Sequence, residues 1–181
     1  MNISETMIKG IYVIEPEIYE DERGFLFECF SEKKLMEVGI AFKCVQENHI
    51  CSIKKGVLRG IHFQNHPYAQ AKFLRCLRGS VLDYAIDLRK NSPTYMQYVS
   101  KEISKENKKI IFIPKGFGHA IVSLTDISEI QYKTDNFYSP KHDRSIRYDD
   151  EQLNIQWPFK EVILSEKDKT APRLGESDCN F

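Results

Sequence analysis

Along most of the chain apolar and polar residues alternate with a period of two, and Gly, Pro, Asn or charged pairs interrupt the alternation at short intervals. Such spacing predicts many short strands folded into a sandwich or barrel. The stretch from Val81 to Leu88 shows it best: Leu82, Tyr84, Ile86 and Leu88 share one face, and Asp83, Ala85 and Asp87 the other. Two readings of the second face stay open, a solvated surface or the polar lining of a barrel cavity. Further strands are predicted over residues 6–14, 24–30, 41–53, 57–64, 69–77, 95–103, 109–113, 119–124, 128–135 and 144–149, with Gly56, Gly79 and Pro114 as punctuation. About ten strands suit a β-sandwich rolled into a barrel. Helix signals are scarce. The clearest has Ser31 as N-cap, presents Leu35 and Val38 on one side and stops at Gly39. After Asn154 the pattern turns irregular, through Trp157 and Pro158 to a polar tail from Ser165 whose last residues are expected to be mobile. No repeat, low-complexity tract or linker divides the chain, so one domain over residues 1–181 is expected.

Composition narrows the function classes. A chain of 181 residues with 41% hydrophobic content can bury a sizeable single core. Its 26 basic and 26 acidic groups cancel, so no broad field attracts nucleic acid or an acidic membrane, although local basic pockets stay open. The first residues place Glu5 and Lys9 among the apolar ones, unlike a secretory signal, and no later run reaches the length of a membrane span. A soluble cytoplasmic protein is expected. Five cysteines (Cys29, Cys44, Cys51, Cys76 and Cys179) show no zinc spacing and leave an odd thiol if bridged, so they read as reduced residues, mostly core filler.

Three blocks concentrate chemistry. GVLRGIHFQ places Arg59, His62 and Gln64 in a strand, and YAQAKFLRCLRG follows with Lys72, Arg75 and Arg78. Strand alternation sets His62 and Gln64 opposite Ile61 and Phe63, consistent with a polar interior that faces a ligand. An isolated histidine would read as a hydrogen-bonded residue on a solvated sheet face, but the surrounding cations weigh against that. IIFIPKGFGHAIV carries P-x-G-x-x-H ending at His119, which matches half of a cupin metal motif. The paired histidines of the other half are missing, because His62 is followed by Phe63 and Gln64 and His66 lies too far along, so no metal is expected. EIQYKTDNFYSPKHDRSIRYDD contributes Tyr132, Tyr138 and Asp143, and LSEKD contributes Lys167 and Asp168; on composition alone the tyrosines are core or interface material and the last pair is exposed.

Taken together and in order, RGFLFECF, VQENH, KKGVLRGIHFQ, YAQAKFLRCLRGSVLDYAIDLRKNSPTY, IPKGFGHAIVSL, YKTDNFYSP, IRYDD, IQWP and LSEKD resemble the dTDP-4-dehydrorhamnose 3,5-epimerase family across almost the whole chain. The resemblance implies an all-β, cupin-like jelly roll with one or two short helices. It further implies a cofactor-independent isomerase that epimerises a nucleoside-diphosphate 4-keto sugar at C3 and C5, in making a deoxysugar or heptose for surface polysaccharide. In that scheme His62 is the base, Asp168 its carboxylate partner, Lys72 the cation beside the C4 oxygen and Tyr132 the acid on the opposite face. Histidine suits the role because its ordinary pKa lies near neutrality. Arg23, Glu28, Gln46, Asn48, Arg59, His119, Asp143 and Lys167 are implied to bind substrate, with Tyr138 stacking on the nucleobase. A homodimer is implied too, in which Arg23 and Glu28 complete the neighbour's site. The family commonly has Gly at the positions of Met96 and Ala120, Glu at Asp143, and smaller or more polar residues at Ile50 and Cys51. These departures are expected to alter the pocket and its rim, which brings in a GDP- or CDP-linked sugar, a 4-keto heptose, or inversion at C3 alone. Two other classes compete: a metal-dependent cupin using His62, His66 and His119, and a non-catalytic sugar-nucleotide binding module.

Overall fold

Period-two alternation can bury both faces of a strand only if something covers each side of the sheet, and three layers do so here. The computed structural model describes residues 1–181. Its strands are β1 (Asn2–Glu5), β2 (Tyr12–Glu15), β3 (Ile18–Asp21), β4 (Gly24–Phe27), β5 (Gln46–Ser52), β6 (Leu58–Gln64), β7 (Lys72–Arg78), β8 (Ser80–Asp87), β9 (Tyr98–Ser104), β10 (Ile110–Ile113), β11 (Phe117–Ser123), β12 (Ser128–Thr134) and β13 (Asp143–Ser145). Two helices, α1 (Glu32–Glu37) and α2 (Glu166–Lys169), and one 3₁₀ turn complete it. A six-stranded sheet of order β1-β2-β10-β7-β12-β5 faces a five-stranded sheet of order β13-β6-β11-β8-β9, and every pairing is antiparallel. This is the cupin-like jelly roll, all-β apart from its short helices.

Leu74, Val81, Ala85, Ile103, Ile111, Ile121 and Ile130 pack between the sheets. Behind the five-stranded sheet, Ile61, Tyr84, Ile86, Ala120 and Val122 meet Leu153, Ile155, Leu174 and Cys179 of the C-terminal segment. Behind the six-stranded sheet, α1 and its flanks bury Leu35, Ile40 and Phe42 on Ile14, Phe73 and Phe112. Both faces of β8 are therefore covered. Asp83 and Asp87, whose face was open to two readings, are fully buried and point into the sandwich.

Several expectations need correction. Of the strand predicted over 6–14 only residues 12–14 are strand, in β2; residues 6–11 form the hairpin turn between β1 and β2, closed by the Thr6 amide on the Ile11 carbonyl at 2.9 Å, with Ile8 and Ile11 buried as anchors, so their apolarity marks burial and not a strand. The stretch 41–53 becomes strand only from Gln46, because Phe42 turns into the core behind the sheet. On α1 only Leu35 is buried, while Val38 is the C-cap and exposed. The polar tail is not loose: Ala171, Leu174 and Cys179 are buried, and the main chain of Phe181 accepts from the Lys90 amide. Of the cysteines, only Cys76 and Cys179 are buried, whereas Cys44 and Cys51 are exposed. The hairpin β3–β4 stands apart as its own two-stranded sheet and exposes Tyr19, Phe25 and Leu26.

Candidate active site

A β-bulge decides which side chains of β6 face inward. Strict alternation would put Arg59 on the side of Ile61 and Phe63, away from His62. Instead His62 lies opposite His119 and Arg59 opposite Ile121, so Gly60 and Ile61 together oppose the single residue Ala120 of β11. The extra residue resets the phase and turns Arg59 and His62 to the same interior. Only glycine fits there: Gly60 has φ +140, and a Cβ on it would lie 2.5 Å from that of Ala120.

Inside, a cavity of about 390 Å³ opens at one end of the sandwich, lined by Arg59 and His62 of β6, Lys72 of β7, His119 of β11, Tyr132 of β12, Asp168 of α2 and its N-cap Ser165. Ile50, Val57, Leu58, Ile121, Ile163 and Leu164 supply its apolar walls. That mixture, mostly apolar with a few convergent polar groups, is the usual make-up of a small-molecule site.

His62 and Asp168 meet through Nε2 and Oδ1 at 2.5 Å. The carboxylate therefore accepts a hydrogen bond from the Nε2–H of the neutral ring, which leaves the Nδ1 lone pair free. Ser165 caps α2 and donates its hydroxyl to the other carboxylate oxygen at 2.9 Å. Burial alone would raise the Asp168 pKa, but the hydrogen bond and charge of His62, with the Ser165 hydroxyl, outweigh it and hold the acid below its ordinary value. Asp168, expected on composition to be exposed, is 2% exposed. Loss of hydration brings the Lys72 ammonium down to about 8, against the pull of Asp83 and Asp143 and with the push of Lys167. Tyr132 projects from the opposite sheet; burial raises its pKa, and the Asn48 amide beside it acts the other way. Base and phenol thus stand on facing walls with the ammonium on the phenol's sheet.

Around the mouth, Lys167 Nζ meets Asp143 Oδ2 at 2.5 Å and the Tyr138 hydroxyl donates to the same oxygen at 3.3 Å. The Gln46 side chain accepts the Tyr138 amide at 2.9 Å and donates to the Asn48 side chain at 3.1 Å. Arg59 is steadied by Ser52 and the Cys51 carbonyl. Within this chain Arg23 and Glu28 lie outside the cavity: Arg23, on the β3–β4 turn, pairs with Asp21, and Glu28 with Lys34 at 2.9 Å. His119 is engaged at both nitrogens, Nε2 on Asp83 at 2.7 Å and Nδ1 on Lys72 at 3.5 Å.

Among the departures from the family pattern, Ile50 lines the cavity and Asp143 its rim. Met96 and Ala120 belong to the outer core behind the five-stranded sheet, so these two do not shape the pocket as expected, whereas Cys51 is exposed and its carbonyl holds Arg59. The competing metal set is not assembled. His66 packs its ring on Phe181 instead, and no group of three His, Cys, Asp or Glu side chains is arranged around one point. Two functional neighbours were missed by sequence reasoning. Ser165 had a signal, the S-x-x-D capping pattern Ser165 to Asp168. Asp83 had only its place on the ambiguous face of β8.

The family model for dTDP-4-dehydrorhamnose 3,5-epimerase matches residues 5–176. The dTDP-4-dehydrorhamnose 3,5-epimerase of Shigella flexneri is 44% identical over 179 residues, 98% of this chain and 98% of that one. Among solved structures, the dTDP-6-deoxy-D-glucose-3,5-epimerase of Legionella pneumophila Philadelphia 1, in complex with dTDP-4-keto-L-rhamnose, superposes with a TM-score of 0.93 at 44% identity, covering 98% of this chain and 94% of that one. ChmJ, a 3'-monoepimerase from Streptomyces bikiniensis in complex with dTDP-quinovose, gives a TM-score of 0.88 at 35% identity over 94% and 87% of the two chains.

Proposed function

The chain belongs to the dTDP-4-dehydrorhamnose 3,5-epimerase family, and from that premise we propose that it epimerises a dTDP-linked 4-keto-6-deoxy sugar at C3 and C5. The observation that carries this reading is the placement of His62 and Tyr132 on facing walls of one cavity with Lys72 beside them. The ketone at C4 acidifies the hydrogens on C3 and C5. His62 Nδ1 removes one of them, and the electron pair moves through the new C–C double bond onto the C4 oxygen. Lys72, as an ammonium, offsets that charge in a largely dehydrated setting, where a fixed donor acts most strongly. Asp168 stabilises the imidazolium formed and fixes its ring. Tyr132 then delivers a proton to the opposite face of the same carbon, which inverts it, and both groups re-equilibrate with solvent. The balance needs no oxidant, reductant or cofactor.

Arg59 and Lys167 are the cations placed to take the diphosphate, Arg59 by its planar fork. Tyr138 is 54% exposed beside Gln46 and Asn48, suited to stack on the base. His119 completes the wall and Asp143 the rim. Arg23 and Glu28, remote from their own cavity, fit a homodimer in which the β3–β4 hairpin reaches the neighbouring site. Five free cysteines suit a reducing cytoplasm, and no helix is long and apolar enough to cross a membrane.

Heavy-water incubation with dTDP-linked 4-keto sugars tests this, read by NMR at each carbon. Deuterium should enter C3 and C5 with the wild-type protein, and His62→Ala should lower exchange by a factor of about 10²–10⁴. No exchange in any substrate would sink the enzyme reading and favour a binding module. The likeness to the 3'-monoepimerase supplies one second reading: exchange confined to C3 would establish it.

A further inference from the structure

One buried acid has no part in the mechanism so far. Asp83 of β8 is fully buried, faces inward opposite Ile121 and diagonal to His119, and spends one carboxylate oxygen on His119 Nε2 at 2.7 Å. Its other oxygen, Oδ1, has no hydrogen-bond partner. A dehydrated carboxylate with half its accepting capacity empty opposes folding, and apart from the Ser145 hydroxyl it is the one buried side-chain group left with an unpartnered atom. Beyond His119 the next group is Lys72, whose Nζ lies 3.5 Å from Nδ1.

The chemistry of the three groups leaves one consistent arrangement. An ammonium has only N–H donors, so at Lys72 the ring nitrogen must accept, and Nδ1 is bare. The ring proton then sits on Nε2, where the carboxylate accepts it. Protonating both nitrogens would aim an N–H at the ammonium, and burial further disfavours the imidazolium. His119 is thereby a neutral spacer between a buried anion and a cation. It uses one Lys72 hydrogen and leaves the others for the cavity, and it has no free hydrogen of its own to offer substrate.

From this we infer that Asp83 is a positioning residue: acting through His119, it holds Lys72 as a cation aimed at the substrate's C4 oxygen. The inference rests on the epimerase reading of Lys72. It also gives His119 a different task from direct substrate binding. The groups that face Lys72 are His119 on β11, Asp83 on β8, Asp143 on β13 and Lys167 on α2, with His62 of β6 acting in turn on His119. Asp83 and Asp143 favour the cation, Lys167 opposes it, and Asp143 is already tied to Lys167. Asp83 is the acid in the set with no cation of its own.

The test is the pH dependence of kcat for deuterium exchange in wild type and in the isosteric Asp83→Asn, with folding checked by circular dichroism. Wild-type kcat should fall as pH rises through about 8. In Asp83→Asn that alkaline limb should move to lower pH by about one unit, an approximately fivefold loss of kcat near the wild-type midpoint that approaches tenfold at higher pH, with little change in KM. A folded variant whose limb stays in place overturns the inference. Should the variant fail to fold, ring ¹⁵N NMR of the wild-type protein decides, with His119 assigned by His119→Gln. Neutral His119 protonated at Nε2 supports the inference, and an Nδ1-protonated ring or an imidazolium overturns it. Lys72→Met separates the two levels: full exchange in that variant removes the Lys72 reading itself, whereas an inactive Lys72→Met beside an unmoved Asp83→Asn limb removes only the role of Asp83.

Discussion

At the scale of single residues, the site opposes the stability of its own fold. Lys72 has a pKa of about 8 folded against 10.5 as a free side chain. A base whose pKa is lowered by folding resists folding while charged. The penalty is full below about pH 8 and fades as pH climbs towards the free value. Lys72→Met should therefore raise thermal stability at neutral pH, by on the order of 2 kcal/mol, while exchange at C3 and C5 collapses. Equal or lower melting temperature at neutral pH, together with no narrowing of the gap to wild type at alkaline pH, would contradict this. The identities of His62, Lys72, Tyr132 and Asp168 were legible in the sequence through their ordered motifs. Their electrostatics were not, because burial, which moves Lys72 and Tyr132, is a property of what surrounds a residue.

Among elements, β6 shows how local geometry selects a site. Period two would separate Arg59 from His62, and the bulge at Gly60 reunites them. Gly60→Ala would combine a φ of +140, unsuited to an L side chain, with a contact of 2.5 Å to Ala120. We expect a loss of about 2–4 kcal/mol in unfolding free energy and a larger fractional loss of exchange than stability alone explains, since the phase of β6 must shift. Denaturant unfolding and exchange on the same sample check it; wild-type values in both would show that the bulge tolerates a methyl group. Most strands were readable, although β1 and β3 lie outside the predicted stretches, and the 6–11 and 41–45 segments read as strand because burial by a turn or a flank leaves the same apolar signature. The tail misled in the opposite sense. Its polar composition hid Leu174, Cys179 and Phe181, which cover the outer face of the five-stranded sheet.

For the whole molecule, Arg23 and Glu28 pose the open assembly question. The family resemblance implies that both bind substrate, yet they lie outside their own cavity. If the hairpin serves a neighbour, Arg23→Ala and His62→Ala proteins, each impaired alone, should recover about a quarter of wild-type exchange when refolded together, because half the dimers are mixed and each holds one intact site. No recovery, in a sample shown by ultracentrifugation to exchange subunits, would place Arg23 in service of its own chain or of none. The zero net charge has a related lesson. It removes a broad attraction for polyanions but says nothing about sorting, and here Arg59, Lys72 and Lys167 gather at one end of the sandwich with Asp83, Asp143 and Asp168 among them. What the sequence determined by itself was the all-β class, most strands, the family and the chemical groups of the site, since these follow from side-chain type and order along the chain. The tertiary structure alone decided the facing of Arg59, the covering of both sides of β8, and the meeting of Asp83, His119 and Lys72. Those depend on register between strands far apart in the chain, which no local pattern encodes.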